Sequence, residues 1–238
     1  MQLFFVPDIQ EGLFELPSEE ARHAVQVLRK RVGEVLNIVD GKGGWYQAEI
    51  VETTKRSCTV QAHRIRQEER RANFKLTMAV SPTKSNDRFE WFLEKATEIG
   101  VDRIIPLQCK RTERPKIRLD RYEKVLVSAM KQSLQAWKPE LSPLTPIKEV
   151  ISGLSEQSAA YIGWCDDSIN SPLVDNFRPN VDVLILIGPE GDFTAEEVSA
   201  ARAAGCLPVT LGPNRLRTET AAVVATQMVA LLQELKRS

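Results

Sequence analysis

The first seventy residues carry short apolar runs in which hydrophobic and polar positions alternate, a pattern typical of half-buried β-strands. The strands that this pattern predicts are Leu3–Val6, Val35–Val39, Trp45–Val51 and Cys58–Ile65. A single helix interrupts them, and Ser18 is its predicted N-cap. Several short strands joined by tight turns predict a small β-barrel.

From Leu76 onward the pattern changes to strands that alternate with amphipathic helices, which predicts an α/β domain with a parallel sheet. The predicted strands are Leu76–Val80, Arg103–Leu107, Ala159–Gly163, Val181–Ile187 and Pro208–Leu211. The predicted helices are one ending at Gly100, Asp120–Leu134, one from the N-cap Thr194 to Ala204, and Thr218–Leu235. The polar segment Gln67–Asn73 separates the two patterns, so we expect one domain over 1–70 and another over 74–238.

Composition indicates a globular chain with a core of its own, since 42% of its 238 residues are hydrophobic. The apolar runs are far shorter than the ~20 residues of a membrane-spanning helix, and no basic leader precedes them. We therefore expect a cytoplasmic protein without a membrane partner. The four cysteines lie far apart in sequence, which argues against a local metal site and against a disulfide framework.

Charge is balanced overall, with 32 basic and 32 acidic side chains, but it is segregated along the chain. Residues 73–139 carry 14 positive and 8 negative charges, whereas residues 140–200 carry 2 positive and 11 negative charges. Such segregation is compatible with a basic face for a polyanion. The basic stretch 110–124 is the candidate, although a charge run taken alone is more often a solvated face.

Two glycine-containing loops follow predicted strands of the second domain and open helices. They read IGPEGDFT from Ile187 and VTLGPNRLRTETA from Val209. In open parallel sheets ligands bind at the carboxyl edge of the strands, and glycine lets the backbone approach them. Each loop taken alone also fits an ordinary βα turn, with Thr218 capping the last helix. The chain contains no phosphate-binding P-loop, dinucleotide fingerprint or nucleophile elbow.

The two loops, with three further segments in the same order, resemble the RsmE-type family of the SPOUT superfamily. The segments that carry the resemblance are LFF (3–5), SPTK (81–84), KATEIGV (95–101), IGPEG (187–191) and LGPNRLRTETA (211–221). The resemblance covers the whole chain. It implies a C-terminal SPOUT α/β domain with a trefoil knot, preceded by a small N-terminal PUA-like β-barrel. Knots are rare, and no periodicity would reveal one.

The resemblance also implies an activity: transfer of a methyl group from S-adenosyl-L-methionine to N3 of a uridine in small-subunit (16S) ribosomal RNA. The cofactor-binding residues it implies are Ile187, Gly188, Glu190, Gly191, Leu211, Gly212, Leu216, Arg217 and Thr218. Among these, Arg217 is the candidate for stabilising charge on the pyrimidine. Glu219 is the candidate for a general base or for orienting Arg217.

The partner implied is ribosomal RNA or the small ribosomal subunit, bound by a homodimer without a metal. The candidate RNA-binding residues are Arg29, Lys30, Lys84, Lys110, Arg111, Arg114 and Arg118. The helix Thr218–Leu235 is the candidate dimer contact.

The sequence departs from the family pattern at two places. The family often has GPEGG, where this chain has Asp192 at the last position. It often has E-Q-x-G-R, where residues 131–135 read KQSLQ, so Gln132 is the one residue of that helix to which a role can be carried over.

Three alternatives stay open at the level of sequence. The first is a SPOUT methyltransferase acting on a ribose 2′-oxygen or on guanine N1. The second is a catalytically inactive RNA-binding assembly factor. The third is a dehydrogenase, which the missing dinucleotide fingerprint disfavours most.

Overall fold

The computed structural model describes residues 1–70, 74–166 and 171–236. The chain divides into two compact units, Met1–Arg71 with Val127–Lys138, and Ala72–Leu126 with Pro139–Ser238. The segment Val127–Lys138 groups with the first unit, whereas the domains proposed from sequence, 1–70 and 74–238, place it in the second. Residues 71–73 of the expected linker lie outside the described residues.

The first unit is built on a mixed five-stranded sheet. Its elements are β1 (Leu3–Phe5), β2 (Gly12–Glu15), α1 (Ser18–Arg22), a π-helical turn (His23–Val27), β3 (Val35–Val39), β4 (Gly44–Thr53) and β5 (Cys58–Gln67). The strand order is β1-β3-β4-β5-β2, and β1 and β3 are parallel while the other neighbours are antiparallel. Alternate residues of β3, β4 and β5 fill the core, among them Ile38, Ala48 and Val60.

Two details of this unit differ from the sequence prediction. Ser18 is the first residue of α1 rather than its N-cap, because Pro17 occupies that position and no side chain caps the helix. Strand β2 was not predicted. Its four residues are only partly covered, and Leu13 is 72% exposed, so they lack the buried face by which a strand is detected.

The second unit is a parallel sheet with helices on both faces. Its strands are β6 (Leu76–Val80), β7 (Arg103–Gln108), β8 (Glu140–Leu141), β9 (Thr145–Pro146), β10 (Ala159–Gly163), β11 (Val183–Ile187) and β12 (Leu207–Val209). Its helices are α2 (Asn86–Ile99), the first part of α3 (Leu119–Gln132), α4 (Ile147–Ser152), α5 (Leu173–Asn176), α6 (Ala195–Ala203) and α7 (Thr218–Leu235). The end of α3, from Val127 onward, belongs to the first unit. The strand order is β12-β10-β11-β6-β7-β8, and β9 pairs with β7.

Strand β11 lies in the middle of this sheet and is buried on both faces, as its apolar sequence predicts. Ile185 and Ile187 belong to the core cluster that includes residues of α2 and α7. Leu184 and Leu186 belong to the opposite cluster, which includes residues of α4 and α6. Among the described residues, no helix is long and apolar enough to cross a membrane.

Candidate functional site

Four strands of the second unit end at one edge of the sheet. The last residues of these strands are aligned in register, since Ile187 pairs with both Val80 and Gly163, and Gly163 pairs with Val209. The backbone N–H of Trp164 extends the pairing by donating to the carbonyl oxygen of Val209 at 3.3 Å. The loops that follow these strands therefore leave from the same carboxyl edge, where open parallel sheets bind ligands.

A buried hydrogen bond joins the two glycine-containing loops. The Oγ1 of Thr218 donates to the carbonyl oxygen of Gly188 at 3.1 Å. Thr218 is the first residue of α7, Arg217 is the N-cap, and no side chain caps this helix. The interpretation of Thr218 as a cap is therefore wrong: its hydroxyl holds the other loop instead. A side chain at Gly188 would be crowded, because a Cβ there would lie 3.1 Å from the Phe193 ring and 3.2 Å from the backbone nitrogen of Phe193.

The end of strand β10, at Gly163, lies beside the two glycine-containing loops at the same edge of the sheet. A Cβ on Gly163 would lie 3.1 Å from Cδ1 of Ile187 and 3.8 Å from Cδ1 of Leu211. Beyond this contact the second loop opens to solvent: Gly212 has a φ of 136°, and a Cβ there would meet no atom within 4 Å. Leu211 and Leu216 are half-buried beside it. The edge thus offers exposed backbone next to apolar side chains.

The first loop also contacts segments in which RNA-binding residues were predicted. Glu190 is exposed, and its Oε1 accepts the backbone N–H of Lys84 at 2.8 Å. Nη1 of Arg111 donates to the carbonyl oxygen of Gly191 at 2.6 Å. Nη1 of Arg114 donates to the carbonyl oxygen of Lys84 at 3.3 Å. Lys84 and Arg111 therefore contact the predicted cofactor loop, and Arg114 contacts Lys84.

The two ends of the basic stretch make other contacts. The backbone N–H of Lys110 donates to Oε1 of Glu197 at 2.7 Å, and the residue itself is exposed. Nη2 of Arg118 lies 3.3 Å from Oδ2 of Asp120, in an exposed ion pair. The Arg118 guanidinium lowers the pKa of the Asp120 carboxyl, chiefly through this hydrogen bond.

Glu219 is buried in the first turn of α7, and Arg88 is its charged neighbour. Its Oε1 lies 3.8 Å from Nε of Arg88, and within the described ranges its Oε2 has no hydrogen-bond partner. The structure therefore brings Glu219 to Arg88. Arg217 is exposed at the N-cap position. Sequence reasoning missed Arg88, for which the only signal was a basic residue in the first turn after the SPTK segment.

Asp192 takes the left-handed conformation, with a φ of 62°, at the position where the family pattern often has glycine. Its carboxylate accepts the backbone N–H of Phe193 at 2.8 Å and that of Cys165 at 3.2 Å. Burial and the Asp192 carboxylate raise the pKa of the exposed Cys165 thiol, against the opposing charge of Arg215. The departure from the family pattern thus replaces glycine by a residue that binds two backbone groups.

Two of the predicted RNA-binding residues lie in the first unit. Arg29 is exposed and has a φ of 55°, and Nζ of Lys30 lies 2.7 Å from Oε1 of Glu34. This hydrogen bond from Lys30 lowers the pKa of the Glu34 carboxyl. Within the described ranges, no group of three or more His, Cys, Asp or Glu residues could hold a metal ion.

Comparison with known proteins identifies the family. A model of the RNA methyltransferase domain matches residues 70–230, and a model of the RNA methyltransferase PUA domain matches residues 16–62. The chain belongs to the RNA methyltransferase family. The expected architecture is confirmed: a SPOUT α/β domain follows a PUA-like β domain.

Individual relatives cover nearly the whole chain. A crystal structure from Porphyromonas gingivalis, described as a probable rRNA-methyltransferase, is 39% identical over all of both chains, with a TM-score of 0.93. The ribosomal RNA small subunit methyltransferase E of Neisseria gonorrhoeae, solved with bound S-adenosyl methionine, is 29% identical. That match covers 99% of this chain and 98% of the other, with a TM-score of 0.85. The enzyme of the same name from Rickettsia conorii is 30% identical over 94% of this chain and 91% of its own length.

Proposed function

We propose that this RNA methyltransferase transfers a methyl group from S-adenosyl-L-methionine to N3 of a uridine in small-subunit (16S) ribosomal RNA. The observation that carries the proposal is the hydrogen bond from Thr218 to Gly188, which joins the two glycine-containing loops at one sheet edge. Two relatives that span the chain are named as ribosomal RNA small subunit methyltransferases, and one of them holds the methyl donor.

The residues at this edge fit S-adenosyl-L-methionine. The space above Gly212, where a Cβ would meet no atom within 4 Å, leaves exposed backbone for the polar parts of the ligand. The half-buried Leu211 and Leu216 provide apolar surface for the adenine ring. The residues proposed to hold the cofactor are Ile187, Gly188, Glu190, Gly191, Leu211, Gly212, Leu216, Arg217 and Thr218. When bound, the cofactor supplies an electrophilic methyl group.

Uridine N3 carries a proton that must be lost for N3 to accept the methyl group. Loss of this proton places negative charge on O2 and O4 until the bond from N3 to the methyl group has formed. The exposed guanidinium of Arg217, at the N-terminus of α7, is the group we assign to stabilising that charge. Glu219 is the candidate acceptor of the proton. Its Oε2 is buried and has no hydrogen-bond partner in the part of the chain that the structure describes.

The proposal extends to the partner and the assembly. The basic side chains of 110–118, with Lys84, Arg29 and Lys30, hold ribosomal RNA or the small subunit through its phosphates. The protein acts as a cytoplasmic homodimer, and α7 is the proposed contact because Leu231 and Leu235 on it are 48% and 65% exposed. The C-terminal trefoil knot implied by the family resemblance belongs to the same proposal.

Nucleoside analysis of ribosomal RNA from cells tests this function. Small-subunit RNA is isolated from a strain without this chain and from the same strain carrying either the wild-type chain or Arg217→Ala. We expect 3-methyluridine to be absent from the first, present in the second and strongly reduced in the third. Presence of the modification in the strain without the chain would refute the proposal.

A further inference from the structure

Arg111 belongs to the predicted RNA-binding stretch, and its side chain contacts the predicted cofactor loop. Its Nη1 donates to the carbonyl oxygen of Gly191 at 2.6 Å. The aliphatic part of the Arg111 side chain also lies close to the Gly191 backbone, since a Cβ added to Gly191 would lie 3.3 Å from Cδ of Arg111. Arg111 is therefore packed on the loop as well as hydrogen-bonded to it, although both residues are exposed to solvent.

Neighbouring contacts hold the same loop against the same stretch. Oε1 of Glu190 accepts the backbone N–H of Lys84, and the carbonyl oxygen of Lys84 accepts a hydrogen bond from Arg114. The Nζ of Lys84 lies 3.2 Å from Oε2 of Glu113. Lys84 and Arg111 thus contact positions 190 and 191 of the loop directly, and Arg114 reaches the loop only through Lys84. Arg111 makes the shortest of these contacts.

A guanidinium presents five N–H donors in a planar fork, and it binds phosphate through two of them at once. Only Nη1 of Arg111 has a hydrogen-bond partner among the described residues, and that partner is the Gly191 carbonyl. The other donors are therefore available to a phosphate while the bond to Gly191 persists. A phosphate bound to these donors would hold the Arg111 side chain in place, and that side chain in turn holds the loop at Gly191.

We propose that Arg111 is a positioning residue that couples RNA binding to cofactor binding by bridging an RNA phosphate and the Gly191 carbonyl. This inference rests on the proposed function. Because coupling between two ligands is reciprocal, RNA raises the affinity for the cofactor by the same factor by which the cofactor raises the affinity for RNA. Ordinary couplings of this kind lie between roughly 5-fold and 150-fold.

Three variants distinguish the positioning role of Arg111 from a purely electrostatic contribution of its positive charge to RNA binding. Arg111→Ala removes the bridge and the charge. Arg111→Lys keeps the charge but loses the planar fork, so it retains most of the RNA affinity while the coupling is lost. Arg118→Ala is the matched control, since Arg118 belongs to the same basic stretch and pairs with Asp120 rather than with the loop. It weakens RNA binding but leaves the coupling factor as in the wild type.

The experiment measures the dissociation constant of S-adenosylhomocysteine by calorimetry, with and without a mixed-sequence single-stranded RNA oligonucleotide. We expect the RNA to tighten binding at least about 5-fold in the wild type and in Arg118→Ala. We expect no change in Arg111→Ala or Arg111→Lys. The inference would be overturned if RNA left the dissociation constant of S-adenosylhomocysteine unchanged in the wild type. It would also be overturned if RNA still lowered that constant in Arg111→Ala.

The proposed function has its own readout in the same samples, which is methyl transfer by the wild-type protein from S-adenosyl-L-methionine to small-subunit RNA. If transfer occurs and coupling does not depend on Arg111, only the inference fails. If the wild-type protein binds no S-adenosylhomocysteine and transfers no methyl group, both fail. Circular dichroism of Arg111→Ala, whose side chain is exposed, checks that the variant is folded.

Discussion

The buried hydroxyl of Thr218 donates a hydrogen bond to the carbonyl oxygen of Gly188 at 3.1 Å, so the start of the last helix holds the loop after β11. These residues lie on the two loops that the family resemblance assigns to the cofactor. The relationship means that either loop depends on the other for its position. A substitution at Thr218 should therefore change the position of the loop that contains Gly188, although Gly188 itself is unaltered.

We predict that Thr218→Val weakens both folding and cofactor binding. Valine matches threonine in shape but leaves the Gly188 carbonyl buried without its donor, which typically costs about 1–3 kcal/mol. Thr218→Ser is the control, because it keeps the hydroxyl and should bind the cofactor far more tightly than the valine variant. Denaturant unfolding and calorimetry measure the two effects. Wild-type cofactor affinity in Thr218→Val would show that the hydrogen bond does not shape the pocket.

Gly191→Val should abolish cofactor binding while the fold survives. The three atoms nearest to the added Cβ all belong to the side chain of Arg111, the closest at 3.3 Å, so the steric cost falls first on a flexible, exposed group. We expect that S-adenosyl-L-methionine no longer raises the thermal midpoint of this variant. Gly153→Val, in the turn after α4, is the control, since its Cβ would have only ordinary contacts at 3.6 and 3.7 Å. A normal ligand-induced shift in Gly191→Val would place the pocket elsewhere.

Arg217 should matter for the chemical step more than for ligand binding. Removal of a preorganised donor of this kind typically lowers turnover by roughly 100- to 1,000-fold. Arg217→Ala should bind S-adenosyl-L-methionine within a few-fold of wild type while single-turnover methylation is lost, and Arg217→Lys should recover activity only in part. Calorimetry and sedimentation distinguish the other roles. A monomer, or a large loss of cofactor affinity with intact chemistry, would contradict the assignment.

We expect Leu134 to lower the free energy of unfolding, because it takes a left-handed φ of 56° at the second position after the end of α3. The backbone N–H of Gln135 donates to the carbonyl oxygen of Met130, a pattern that closes helices with glycine at the left-handed position. The family pattern often has glycine here. Since Leu134 is 42% exposed, Leu134→Gly loses little burial and should gain about 1 kcal/mol, or about 2–4 °C in Tm. Leu134→Ala is the control and should not gain.

The pattern of hydrophobic and polar residues predicted the main strands and helices of the second unit, but it could not predict the contacts between them. Strand β11 and helix α7 follow from apolar periodicity because each buries its own continuous face. The hydrogen bond from Thr218 to Gly188 and the ion pair of Arg88 with Glu219 join residues far apart in the chain. Such pairs depend on how strands and helices are arranged in space, which periodicity does not encode. The family resemblance supplied the loop residues, and the structure added Arg88 and the link through Arg111.

The most direct test of the proposed function is the identity of the methylated nucleoside. Purified protein, S-adenosyl-L-methionine with a labelled methyl group, and small ribosomal subunits lacking modification are incubated together. The RNA is then digested and analysed by mass spectrometry. We predict label in 3-methyluridine at a single position, and none when Arg217→Ala replaces the wild-type chain. Label in a 2′-O-methylated nucleoside or in 1-methylguanosine, or no label at all, would contradict the proposal.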